Sequence, residues 1–98
     1  MDIVKEAMAG TLESNDLLVK VAPGDVLEVV IFSEVIRQFG TQIRKVVDET
    51  LQKQGVTRGQ IVIEDKGALD CTIRARVQAA ILRGANAETG TELDWRTL

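Results

Sequence analysis

A two-layer α+β sandwich is the fold this sequence predicts, and three observations predict it. The first third of the chain holds three short segments of strand character. The apolar period then changes to 3.6 in two longer segments, each with one apolar stripe, which is the signature of an amphipathic helix. A fourth short apolar run separates the two helices. The order is β-β-β-α-β-α, a four-stranded sheet, and single-striped helices are expected to lie together on one sheet face.

The first strand is expected over residues 8–12 and is the weakest of the four. Glu13-Ser14-Asn15-Asp16 follows, three of its four residues being turn formers. In residues 17–21 the side chains of Leu17, Val19 and Val21 alternate onto one face. Pro23-Gly24-Asp25 is a turn, since Pro presets φ and Gly accepts positive φ. Residues 27–32 form the third strand, with Leu27, Val29 and Ile31 on one face.

Ser33 is placed to cap a helix, with Glu34 at the positive end of its dipole. The stripe is Ile36, Phe39, Ile43, Val46, Val47, Thr50 and Leu51. Gly40 lies inside it at a cost of about 1 kcal/mol against Ala, and Gly55 is the expected αL residue after it. Residues 60–64 are the fourth strand, and Asp65-Lys66-Gly67 turns the chain. A second helix is expected over residues 68–83, burying Leu69, Ile73, Val77, Ala80 and Ile81, with Asp70 and Arg74 as an i,i+4 pair and Gly84 as its end. If the third and fourth strands are parallel, the crossover between them is right-handed. The opposite sheet face then carries Leu18, Lys20, Val30 and Phe32, too apolar for free exposure, and a partner chain is expected on it or on a sheet edge.

The 98 residues fit one domain over 1–98, with 85–98 as a mostly irregular tail in which Leu93, Trp95 and Leu98 are the apolar residues. Twelve basic residues are scattered among fifteen acidic ones for a net charge of −3, so no basic face exists to displace phosphate counterions, and no nucleic-acid partner is expected. No run approaches the ~18 apolar residues of a membrane span, and the start Met1-Asp2-Ile3-Val4-Lys5-Glu6 lacks the basic and apolar regions of a signal peptide, so a cytoplasmic location is expected. A single cysteine, Cys71, cannot make an internal disulfide and is expected as a small buried apolar residue. The chain has no histidine. Histidine-based acid–base and nucleophilic constellations are therefore absent, as are Cys/His metal sites, and the expectation is no catalytic residue and no metal.

Ser14 is the residue that draws attention. It is either a serine that stabilises a turn by bonding its own backbone or a hydroxyl displayed at a loop tip for a modifying enzyme. Asp65-Lys66-Gly67-Ala68-Leu69-Asp70-Cys71 joins a strand to a helix with a single glycine and two acids, which reads as a turn before it reads as a phosphate cradle. Arg76 and Arg83 share a helix face, either solvated or a docking patch for a partner or a phosphate-bearing arm. Trp95 either folds onto the core or anchors a partner.

Ala9-Gly10-Thr11-Leu12-Glu13-Ser14 with Asp16, the step Gln38-Phe39-Gly40, and the 65–71 motif followed by Arg74-Ala75-Arg76 resemble the acyl carrier protein (gamma chain) family of citrate lyase. The similarity covers residues 9–83, and Trp95 resembles a tryptophan near that family's C terminus. The two long motifs are specific together and weak singly. Asn15 follows Ser14 where many relatives have Ser or Gly, and the Asp-Ser-Leu motif of fatty-acid carriers is missing.

The resemblance implies a covalent carrier with no active site of its own. Its prosthetic group is 2'-(5''-triphosphoribosyl)-3'-dephospho-CoA, joined as the phosphoribosyl form to Ser14 through a phosphodiester. The thiol of that arm presents acetyl and citryl thioesters to the alpha and beta subunits as citrate is cleaved to acetate and oxaloacetate. A prosthetic-group transferase and an acetate ligase act on the carrier transiently. Glu13 and Asp16 are expected to guide the transferase, through its metal. The carrier subunit of malonate decarboxylase is the sister reading, which the 65–71 motif disfavours, and a non-catalytic interaction module with no adduct on Ser14 is the reading from another class.

Overall fold

The computed structural model describes residues 1–33 and 36–85, and for residues 36–39 the backbone alone. Strands β1 (Ala7–Gly10), β2 (Leu17–Ala22) and β3 (Leu27–Ser33) precede helix α1 (Ile36–Lys53), strand β4 (Gly59–Asp65) and helix α2 (Asp70–Ala85). The order is the expected one. The four strands form one mixed sheet in the spatial order β1-β2-β4-β3. β1 and β2 form an antiparallel hairpin, β4 inserts antiparallel beside β2, and β3 lies parallel to β4 at the edge.

Alternation along β2 and β4 builds the inner face. Leu17, Val19, Val21, Ile61 and Ile63 are buried and meet Ile43, Val46, Val47 and Leu51 of α1 and Ile73, Val77, Ala80 and Ile81 of α2 in one core. Both helices therefore cover the same sheet face. Thr50 joins this core because its hydroxyl donates to the Val46 carbonyl at 2.8 Å, which satisfies it without a water. The expected contributions of Ile36 and Phe39 lie outside the described side chains. In β3, Val29 and Ile31 are half-buried and Leu27 is exposed, as suits an edge strand.

Helix α1 ends as expected on Gly55, at φ +68°. The Gly55 N–H donates to the Gln52 carbonyl and the Val56 N–H to the Leu51 carbonyl, each at 3.0 Å. This is a Schellman ending, completed by burial of both Leu51 and Val56.

Several local expectations are corrected. β1 stops at Gly10 rather than residue 12, because Gly10 at φ +94° turns the chain out of the extended region. The capping expected of Ser33 turns on residues 34–35, which lie outside the described ones; Ser33 is the last residue of β3, and its hydroxyl donates to the buried Asp65 carboxylate at 2.8 Å. Leu69 is 70% exposed and Cys71 is exposed. Helix α2 begins only at Asp70, so Leu69 precedes the helical phase, and Cys71 lies two residues before Ile73 on the opposite helix face. Gly84 does not end α2 but is buried within its last turn. An added Cβ there would sit 2.8 Å from Val21 Cγ2, and the Gly84 carbonyl accepts the N–H groups of Val4 and Lys5. Asp70 accepts from Gln42 of α1 at 3.0 Å, and among the described residues it makes no ion pair with Arg74.

The outer sheet face carries the row Met8, Lys20, Val62, Val30 and, one row along, Leu18, Glu64, Phe32. Met8, Val30 and Phe32 are exposed. No helix among the described residues is long and apolar enough to cross a membrane. Trp95 and the rest of the expected tail beyond Ala85 lie outside the described residues.

Candidate functional site

Residues 11–16 connect β1 to β2 and hold Ser14 at their tip. The loop is longer than the four-residue turn expected, and its backbone is tied at both ends. Across its mouth the Thr11 N–H donates to the Leu17 carbonyl at 3.2 Å, and at its tip the Asp16 N–H donates to the Glu13 carbonyl at 3.2 Å. Asn15 adopts φ +65°, a conformation that Asn tolerates better than other side-chain-bearing residues. Two more backbone bonds fasten the loop to the exit of β4: Asn15 N–H to the Lys66 carbonyl at 2.8 Å, and Lys66 N–H to the Asp16 carbonyl at 2.9 Å.

Side chains complete the brace. Thr11 Oγ1 accepts the Glu13 N–H at 3.2 Å and donates to Asp16 Oδ2 at 2.7 Å. Asp16 Oδ1 accepts the Leu17 N–H at 2.8 Å. Arg76, reaching over from α2, donates Nε to Asp16 Oδ1 at 3.0 Å and Nη2 to Oδ2 at 3.3 Å, a two-pronged charge-assisted pair. Burial pushes the Asp16 carboxyl upward, but the bonds from Arg76, Thr11 and Leu17 and the Arg76 charge outweigh it and hold the group at about 2. Gly10 makes room for this, since a Cβ there would overlap the Leu17 carbonyl oxygen and lie 3.3 Å from Arg76 Cδ.

Ser14 stands apart from this network. It is exposed, and among the described residues it makes no hydrogen bond. The turn-building role that a serine could have filled belongs to Thr11, Asn15 and Asp16. Asp16, expected with Glu13 to face a partner's metal, has both oxygens engaged within the chain, so Glu13 is the acid of the pair that remains outward.

The loop adjoins a cleft of about 470 Å³ lined by Leu12, Ile31, Phe32, Ser33, Glu64, Asp65 and Lys66. Leu12 and Phe32 are exposed, so the apolar strip of the outer sheet face continues to the serine loop. Beneath the cleft, Asp65 is buried with one oxygen on the Ser33 hydroxyl and the other on the Ala68 N–H at 3.0 Å. It joins the ends of β3 and β4 to the start of α2, so the 65–71 motif is a turn, as read, with a buried carboxylate at its root.

Of the sequence candidates, Ser14, Asp16 and Arg76 come together, with Arg76 bracing the loop rather than forming a free patch. Arg83 donates Nη1 to the Met8 carbonyl at 2.7 Å, so this arginine face is turned toward β1. Cys71 is not brought to the loop by any bond. Thr11 and the Arg76–Asp16 pairing escaped the sequence reading. Thr11 carried a faint signal, a hydroxyl at the entry of a polar turn, whereas nothing local marks a partner for Asp16 sixty residues away.

Residues 4–84 match the family model described as malonate decarboxylase delta subunit (MdcD). The citrate lyase acyl carrier protein of Pectobacterium carotovorum subsp. carotovorum (strain PC1) is 62% identical over 99 residues, covering all of both chains. That of Haemophilus influenzae (strain ATCC 51907 / DSM 11121 / KW20 / Rd) is 48% identical over 98 residues, covering 100% of this chain and 99% of the relative. In fold, the chain is similar to one in the crystal structure of a Pseudomonas malonate decarboxylase hetero-tetramer in complex with malonate, with a TM-score of 0.74 over 85% of this chain and 87% of that one at 21% identity. Full-length identities of this size show that the chain belongs to the citrate lyase acyl carrier protein family.

Proposed function

We propose that this chain is the covalent carrier subunit of citrate lyase and that Ser14 bears its prosthetic group, 2'-(5''-triphosphoribosyl)-3'-dephospho-CoA attached as the phosphoribosyl form. The supporting observation is the contrast inside one loop. Thr11, Asn15 and Asp16 make every bond that shapes it, and the Ser14 hydroxyl, exposed at the tip, makes none among the described residues. That donor set fits the group, because a phosphodiester needs one accessible hydroxyl and room around it. When bound, the group supplies a terminal thiol for carrying acyl units.

Ser14 Oγ is the nucleophile of the loading step. It forms the new P–O bond at the α-phosphorus of the triphosphate donor, and pyrophosphate leaves. The serine proton has to pass to a base. The chain has no histidine, and no described side chain hydrogen-bonds to Oγ, so this reading assigns the base to the transferase. The braced loop keeps the attachment point fixed against the sheet, and tethering then raises the local concentration of the acyl group at successive sites. The alpha and beta subunits are the proposed partners, with the transferase and an acetate ligase as transient ones. Met8, Val30 and Phe32, continuous with Leu12, offer those subunits an apolar contact strip.

Relatives at 48–62% identity over the whole chain favour citrate lyase over malonate decarboxylase, where the likeness is one of fold at 21% identity. Intact mass of the chain co-expressed with its candidate loading enzymes, beside Ser14→Ala, is the test. An added mass matching the phosphoribosyl-dephospho-CoA group, absent from S14A, is expected. No added mass with demonstrably active loading enzymes would leave a plain interaction module.

A further inference from the structure

We infer that Arg76 is a positioning residue for loading of Ser14: it never touches the serine, but through the fork onto Asp16 it locks the loop in the conformation that presents the hydroxyl. This rests on the carrier reading of Ser14 and adds a residue from another element to it. Four observations carry it. Arg76 is rooted in α2 on the flank of the stripe Ile73, Val77 and Ala80 that is buried in the core, so its guanidinium starts from a rigid base. It binds both oxygens of Asp16, the residue two positions after Ser14. Asp16 in turn gathers Thr11, at the loop's entry, and the Leu17 N–H, at its exit. Gly10 leaves the space through which the Arg76 stem passes.

Without the fork, the loop keeps its backbone bonds to Lys66 but loses the link between its two ends and α2. The tip then samples more conformations, and each loading event must first select the competent one. A misplacement of about 1 Å at a reacting atom costs up to about 100-fold in rate, so the loss belongs in kcat for loading. A docking contact behaves differently, raising the KM of the transferase for the carrier and sparing kcat.

The test is steady-state loading of the full chain by its transferase, with intact mass as readout, for wild type, Arg76→Gln, Arg76→Lys, Asp16→Asn and the double variant D16N/R76Q. Thermal melting sets an assay temperature well below every midpoint. R76Q and D16N are each expected to lower kcat about ten-fold with KM within about two-fold. The double variant should be no slower than the slower single one, because both changes remove the same link. R76K, which keeps charge but loses the fork, should recover part of the rate. Amide hydrogen exchange gives a readout independent of loading: in R76Q, protection should fall at Asn15, Asp16 and Lys66 and hold in β2 and β4. Wild-type kcat in R76Q, a change confined to KM, or effects of the two singles that multiply in the double would each overturn the inference while leaving Ser14 as the attachment site. A wild-type chain that takes up no group removes the carrier reading itself, and this inference with it.

Discussion

Arg76 and Asp16 meet across sixty residues of chain, with the guanidinium Nε 3.0 Å from one carboxylate oxygen and Nη2 3.3 Å from the other. The pair gives the serine loop a measurable acid signature. Asp16 titrates at about 2 against an ordinary 3.8. Because the folded value is the lower one, the stabilisation is present in full above the unfolded value and is lost as the pH falls toward and through the folded one. The Arg76 side chain is 43% exposed, so solvent screening reduces the contribution to about 1 kcal/mol. Urea unfolding should find Asp16→Asn less stable than wild type by about that amount near pH 6, with the gap closing between about pH 4 and pH 2. A gap that stays constant down to pH 2 would show that the charge of Asp16 plays no part.

The elements of this fold were legible because their periods are clean. Leu17, Val19 and Val21 alternate, and Ile43, Val46, Val47 and Leu51 repeat at helical spacing, and all are buried. Strand order was not legible, since nothing in residues 60–64 says that β4 inserts between β2 and β3. Leu69 was misplaced by extending a helical stripe past its true start at Asp70, and Cys71 by reading burial from residue type, since its position in α2 faces away from Ile73. Ser14 could be picked out, but its freedom from the loop's bonding could not. That depends on Thr11 bonding Glu13 and Asp16, and on an arginine brought in from α2 by tertiary packing.

Gly10 is where the hairpin is least tolerant. At φ +94°, a Cβ would overlap the Leu17 carbonyl oxygen, which itself accepts the Thr11 N–H. Gly10→Ala should therefore cost about 3 kcal/mol or more, since strain and a backbone clash add. Gly67, at φ +91°, is the matched control, because a Cβ there meets only Asn15 Oδ1 at 3.7 Å. Gly67→Ala should cost about 1 kcal/mol. Thermal melting separates the two, and equal losses would mean that φ alone, not the Leu17 contact, sets the requirement at Gly10.

Asp65 holds three element ends with one carboxylate, taking the Ser33 hydroxyl at 2.8 Å and the Ala68 N–H at 3.0 Å. It is 2% exposed, and Asp65→Ala takes the acceptor from two part-buried donors. About 2–4 kcal/mol should be lost by denaturant unfolding. Ser33→Ala in the D65A background should then cost less than it does in wild type, because its acceptor is already gone. Strict additivity of the two changes would argue that the bond between them carries no weight.

Thr11 and Ser14 are both exposed hydroxyl residues of one loop, three positions apart, and their bonding predicts opposite behaviour. Thr11 Oγ1 accepts the Glu13 N–H and donates to Asp16 Oδ2. Thr11→Val keeps the shape of the side chain and deletes both bonds, so about 1–2 kcal/mol of stability should be lost. Ser14→Ala removes a hydroxyl that bonds nothing among the described residues, and its stability should stay within about 0.5 kcal/mol of wild type. Loading should invert the order: T11V still accepts the group, more slowly because its loop is loosened, whereas S14A accepts none. Unfolding curves and intact masses of the two variants, taken side by side, check this. A large stability loss in S14A would make the serine a builder of its own turn, and retention of the adduct in S14A would move the attachment point to another residue.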